Sequence, residues 1–283
     1  LITGASSGIG KEIAILAAAR GHTVIASAPT AALLADVDDG ARLKVVIDIC
    51  DQASIDHALQ EIDRAGLQLT CLINNAGYAQ PGPIELVDDV LLRRQFDVNV
   101  FGTLAMTRAV LPRLRAQSNA RRHGLIITMS SMLGLVSSPF QGIYAASKHA
   151  LEGAFHALRM ELRAQHIDVV LIEPGWISTQ FLKTAQTHAP ASWMQNAIYG
   201  KALQTYFAIT DEAETEHPTG AAKIAAAMAG TANDVACTVI RALESEKPKA
   251  CYPVTAMARW MPRLARMLPS RIWDKMQTQQ FAP

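Results

Sequence analysis

The chain alternates short apolar runs with longer segments of helical periodicity, and this alternation limits its possible folds more than any other property. Residues 23–27, 43–47, 70–73, 125–129 and 168–172 each have the length and apolar character of a buried strand. Residues 9–20, 52–65, 88–116 and 143–165 lie between or beside them and repeat apolar side chains at helical spacing. Runs without a polar face fit strands covered on both sides, as in a parallel sheet. Strand–helix–strand connections in such sheets are right-handed, so the pattern predicts a doubly wound α/β fold with helices on both faces. Residues 250–254 read as a last strand, after a helix at 231–245. Half of the 283 residues are hydrophobic and 18% are charged, enough to fill such a core and too apolar for a disordered chain. We read residues 1–283 as one domain, with residues 180–229 as a substrate lid and 255–283 as a C-terminal extension.

Three motifs fall where this fold would place a ligand. Leu1 and Ile2 read as the end of the first strand, so a few residues are expected to precede Leu1. Thr3-Gly4-Ala5-Ser6-Ser7-Gly8-Ile9-Gly10 follows and opens a helix. Glycines let backbone approach a pyrophosphate, and a helix N-terminus offers free N–H groups and partial positive charge. Ser131 lies at the end of the 125–129 run, and strand C-termini are where open α/β sheets bind ligands. Tyr144 and Lys148 are four residues apart, hence stacked on one helix face. An ammonium beside a phenol favours the phenolate, so Tyr144 is a candidate acid/base with a lowered pKa.

Together with Asn74-Asn75-Ala76-Gly77, these motifs resemble the short-chain dehydrogenase/reductase family, closely over residues 1 to about 180 and more loosely afterwards. The stretches 131–140 and 147–153 are similar to its hydroxysteroid and retinol dehydrogenase branch. The resemblance implies a Rossmann-type sheet and NAD(P)(H)-dependent interconversion of an apolar secondary alcohol and ketone, or an alcohol and aldehyde. It implies that Ser131 binds the substrate oxygen, Tyr144 transfers its proton, Lys148 assists Tyr144 and grips the nicotinamide ribose, and Asn99 supports a proton relay. Gly4, Ser6, Ser7, Gly8, Ile9 and Gly10 would cradle the pyrophosphate. Asp48 and Ile49 would meet adenine, and Asn75, Ala76 and Gly77 would line the cofactor. Pro174, Gly175, Ile177 and Thr179 would meet the nicotinamide end. After the second strand stand Ala28 and Pro29, neither acid nor base. Without an acid to repel a 2′-phosphate, and with Lys11 nearby, NADP is weakly preferred over NAD. Family resemblance also implies a homodimer or homotetramer built on the 88–116 and 143–165 helices.

Two other functions compete with this one. A sugar epimerase or dehydratase shares the Tyr/Lys pair but generally carries a different glycine spacing. A dinucleotide-sensing binding protein would often lack a catalytic residue, whereas all four positions are filled here. The net charge of +1 gives no reason to expect nucleic acid. Cys50, Cys71, Cys237 and Cys251 lack metal-ligand spacing and read as buried free thiols of a reducing compartment, so no metal is expected and the cytoplasm is the expected location. The tail alternates Met257, Trp260, Met261, Leu264, Met267, Leu268, Ile272 and Trp273 with Arg259, Arg263, Arg266, Arg271 and Lys275, with Pro262 and Pro269 expected to break it into short helices. It reads as packing, a cover for the substrate entrance, or a basic amphipathic patch for a membrane surface.

Overall fold

The computed structural model describes residues 1–279 apart from 38–39, 120–122, 179, 214 and 216–217. Its first helix, α1 (Gly8–Ala19), leads to β1 (Ile25–Ala28), a short α2 (Ala31–Leu34), β2 (Leu43–Val46) and α3 (Gln52–Arg64). Then come β3 (Cys71–Asn74), α4 (Asp89–Phe96), α5 (Thr103–Gln117), β4 (Gly124–Met129), α6 (Gly142–Glu161) and β5 (Ile167–Glu173). The remainder holds β6 (Ile177–Ser178), α7 (Gln180–Thr187), α8 (Gly200–Glu212), α9 (Gly220–Met228), β7 (Gly230–Thr231), α10 (Ala232–Leu243), β8 (Cys251–Pro253), α11 (Ala256–Met267) and α12 (Ser270–Thr278).

β2 pairs with β1, and β3, β4, β5 and β8 form a second parallel ladder. Ile2 bridges parallel to Ala26 on one side and Ile73 on the other, joining the two ladders into one sheet. Every residue of β4 is buried, as expected of a strand covered on both faces. One face packs Ile55, Leu59, Met106, Leu114, Leu151 and Phe155 from α3, α5 and α6. The other packs Ile13, Ala14 and Ala17 of α1 against Val235, Val239 and Ile240 of α10. The Asn74 amide donates to Thr107 at 2.9 Å and Thr128 at 3.2 Å, tying β3 to α5 and β4 inside the core.

Two expectations are corrected. The helix across 88–116 is interrupted by a π turn at Asp97–Gly102, between α4 and α5. There the chain must approach the end of β2: a Cβ on Gly102 would stand 2.8–2.9 Å from Ile49 side-chain and backbone atoms. Pro262 does not break the tail. It lies within α11, and the break falls at Leu268, before Pro269 caps α12. Asp211 and Glu212 end α8, where Glu212 accepts hydrogen bonds from the Thr219 backbone and hydroxyl. No helix among the described residues is long and apolar enough to cross a membrane.

Candidate active site

The glycine loop is held from below by β3. Thr3 Oγ1 accepts hydrogen bonds from the Asn75 and Ala76 backbone N–H groups, both at 3.0 Å. The Asn75 amide donates to the Thr3 and Gly4 carbonyls, both at 3.0 Å. Gly4 and Gly8 take φ of 64° and 51°, in the left-handed region that glycine enters without strain. A Cβ on Gly10 would overlap the Gly4 carbonyl oxygen and the Asn75 amide. The loop therefore follows a path that only small residues allow, and it leaves the N-terminus of α1 open to the cavity beside it.

That cavity measures about 1000 Å³. Gly4, Ser6, Ser7, Gly8, Ile9 and Gly10 line one end, with Asp48, Ile49 and Pro29 nearby. Asn75, Ala76 and Gly77 line the middle, and Pro174, Gly175 and Ile177 close the far side of this wall. Ser131, Tyr144 and Lys148 also face the cavity. Thr179 lies outside the described residues. Lys11, which supported the preference for a 2′-phosphate, is not on the cavity wall; it sits in the first turn of α1, where its backbone N–H bonds Ser7. Gly10 and Gly4, the open helix end and the hydroxyls of Ser6 and Ser7 fit a dinucleotide pyrophosphate.

Tyr144 and Lys148 are on the same side of α6, with the Lys148 ammonium 5.7 Å from the centre of the Tyr144 ring. Lys148 donates to the Met129 carbonyl at 2.7 Å, at the end of β4. Burial pushes the Tyr144 phenol up to about 12, an effect reduced by the nearby Ser131 hydroxyl. This is the reverse of the shift expected from spacing: helical stacking brings the ammonium near, but desolvation of the phenolate outweighs it. Burial also lowers Lys148 to about 8, against the opposing charge of Glu152.

Asn99 is buried behind Gly77 rather than on the wall. Its side chain works like a segment of strand, accepting from the Tyr78 N–H at 3.0 Å and donating to the Tyr78 carbonyl at 3.0 Å. It also donates to Ser147 at 3.1 Å, on α6 between Tyr144 and Lys148. A Cβ on Gly77 would lie 3.1 Å from the Asn99 oxygen and 3.9 Å from Lys148 Nζ, so Asn99 and Lys148 flank the same glycine.

The wall around Tyr144 carries many apolar side chains, with the polar Ser137, Ser138, Gln141, Thr184, His188 and Thr210 among them. Leu133, Val136, Phe181, Ile209, Met228 and Met261 line it, and the Phe181 ring lies 6.0 Å from that of Tyr144. The aromatic residues of 180–229, read as a lid, divide between two environments. Trp193, Tyr206 and Phe207 are buried with Leu203 in a satellite cluster, whereas Phe181 is part-exposed and faces Tyr144. Several polar contacts were not legible in sequence. Gln141 donates to the Tyr206 hydroxyl, and Gln95 joins Tyr78 to Gln80. His188 bonds the Ala79 carbonyl through Nδ1 at 3.1 Å, pinning the segment after α7 to the loop after β3. These partners are far apart in sequence and share no motif.

Known proteins match this arrangement. The short chain dehydrogenase family model matches residues 1–190. The uncharacterized oxidoreductase YbbO of Escherichia coli (strain K12) is 34% identical over 278 residues, covering 97% of this chain and 92% of YbbO. The NADPH-dependent 3-dehydrocapnine reductase of Ornithobacterium rhinotracheale is 34% identical over 280 residues, 97% of this chain and 94% of that protein. Among solved structures, a short-chain dehydrogenase from Streptomyces avermitilis superposes with a TM-score of 0.70 at 26% identity, covering 99% of this chain and 94% of its own. With its glycine loop braced by β3 and its Tyr144/Lys148 helix beside the strand ends, the chain belongs to the short-chain dehydrogenases, and is an NAD(P)-dependent oxidoreductase.

Proposed function

We propose that the protein interconverts an apolar ketone and its secondary alcohol, or an aldehyde and alcohol, with NADP preferred over NAD. The carrying observation is that Tyr144 shares one cavity wall with the glycine loop while packing with Leu133 beside the Phe181 ring. A carbonyl held there meets Ser131 and Tyr144 while its apolar remainder lies among aliphatic and aromatic side chains. Bound NADP or NAD supplies or accepts the hydride. Ser131 donates a hydrogen bond to the substrate oxygen, and Tyr144 gives that oxygen a proton in reduction and takes it in oxidation. The Lys148 ammonium offsets the charge left on Tyr144 and binds the nicotinamide ribose. Asn99 orders the Tyr78 backbone and Ser147 beside Lys148, and so supports the path by which the proton is replaced. The NADP preference is supported by the lack of an acid at Ala28 and Pro29 and by the NADPH-dependent relative.

A carbonyl and alcohol panel read by nicotinamide absorbance with both cofactors tests the reading. Tyr144→Phe should lose at least about 100-fold in turnover, the usual scale of general acid/base catalysis, with cofactor affinity nearly intact. A variant keeping more than about a tenth of the rate would reject the role, since so small a loss is below that scale. Tighter binding of NAD than of NADP would overturn the cofactor preference.

A further inference from the structure

A second cluster lies further along the Tyr144 and Lys148 side of α6, and the proposed reaction does not use it. Glu152 and His156 continue the same helical row one and two turns past Lys148. Cys251 opens β8, and Glu173 ends β5 beside it. Glu152 is 5% exposed, and neither carboxylate oxygen makes a well-formed hydrogen bond, with only the Ser130 hydroxyl and the His156 ring approaching it; burial pushes its carboxyl up to about 7. A buried carboxylate without hydrogen bonds is costly, and folded proteins offset such groups with a pairing charge or a metal.

Here the surrounding donors suit a metal. His156 Nε2 stands 3.4 Å from Glu152 Oε2 and 3.9 Å from Cys251 Sγ. The three donor atoms lie within 4.8 Å of one another. Tetrahedral zinc holds nitrogen, oxygen and sulfur ligands at about 2.0–2.3 Å, which places neighbouring ligand atoms roughly 3.3–3.7 Å apart. The cluster therefore needs only small side-chain adjustments to close around a cation. The fixed charges nearby are Glu173, Lys148, and the guanidinium groups of Arg159 and Arg266, which act on Cys251 and Glu173 respectively. The Ser130 hydroxyl also approaches Glu152. The His156 side chain is 41% exposed, so the site has a route from solvent.

We propose that Glu152, His156 and Cys251 form a binding site for zinc or a similar thiolate-tolerant divalent cation, clamping α6 to β8. A carboxylate, an imidazole and a thiolate together favour a late first-row metal over magnesium or calcium. A water would take the fourth position. Binding forms the bond from sulfur to the metal and releases the Cys251 thiol proton to solvent, with His156 neutral. Cysteine spacing could not reveal this site, because Cys251 is 95 residues from His156.

Chelator-stripped full-length protein titrated with Co²⁺ tests it. One equivalent should produce a sulfur-to-cobalt charge-transfer band in the near ultraviolet together with the visible bands of a four-coordinate ion, and Zn²⁺ should abolish both. Cys251→Ser should remove the charge-transfer band. A Cys50→Ser/Cys237→Ser variant, which lacks only the exposed thiols, should keep it. His156→Ala changes a part-exposed side chain and should weaken binding by about tenfold or more, and Zn²⁺ should raise the thermal midpoint of the unmutated protein but not of this variant. If Cys251→Ser fails to fold, the His156→Ala comparison decides. No charge-transfer band in the unmutated protein, a band surviving Cys251→Ser, or unchanged affinity in His156→Ala would each overturn the proposal.

Discussion

At the scale of single residues, the competition that matters is between burial and charge at Tyr144 and Lys148. The tyrosine stays protonated at any pH below about 12, so its own proton does not limit reduction in the ordinary range. The ammonium is lost sooner: Lys148 is lowered to about 8, so its charge is complete below that pH and disappears as pH rises through it. Turnover of a ketone should therefore hold steady below about pH 8 and fall above it with a single-proton dependence. Lys148→Met should be slower and should lose that break. A pH series at saturating cofactor measures both, and an unchanged break in the variant would remove Lys148 from the role. The sequence made Tyr144, Lys148 and Ser131 legible because a four-residue spacing and a strand end are local facts. The direction of the tyrosine shift was not legible, because desolvation depends on what Phe181 and the lid bring over the ring. For the same reason nothing in the sequence joins Glu152, His156 and Cys251, which only the packing of α6 on β8 brings together.

At the scale of elements, β4 and β5 were legible because a strand covered on both faces leaves no polar alternation to misread. The π turn was hidden. It depends on Gly102 meeting Ile49 and on Asn99 satisfying the Tyr78 backbone, contacts between separate elements. An extra residue per turn opens a helix where side chains must be redirected, and here it delivers Asn99 inward. The tail shows a related divided use. Met257, Met261 and Met276 face the cavity, while Trp260 and Met267 are exposed and Arg263 lies over the Trp260 ring at 5.2 Å. Flexible methionine side chains suit irregular apolar ligands. Deleting residues 269–283 should raise KM for long apolar substrates more than for short ones and leave cofactor affinity little changed. Equal KM changes across a chain-length series would argue against an entrance cover, and loss of liposome binding alone would favour the membrane-surface reading.

At the scale of the whole molecule, several large apolar side chains remain uncovered on the helices expected to pair. Val90 of α4, Phe101 of the π turn and Met160 of α6 are 74%, 59% and 65% exposed. Such groups are normal when scattered, but along paired helices they invite a partner. A homodimer or homotetramer is expected by light scattering at micromolar concentration, and Phe101→Asp should shift it towards monomer; a monomeric unmutated protein would refute the assembly. The bracing of the glycine loop by β3 has a consequence for how the chain reaches its folded state. Thr3 and Asn75 are 72 positions apart, and their contact requires β3 already to lie beside Ile2. Contacts that close long stretches of chain form late and slowly. The nucleotide cradle is thus expected to form only once the sheet has assembled. In refolding and unfolding jumps, NADP should slow the unfolding limb while leaving the refolding rate unchanged; faster refolding with NADP would mean that the loop forms before the sheet does.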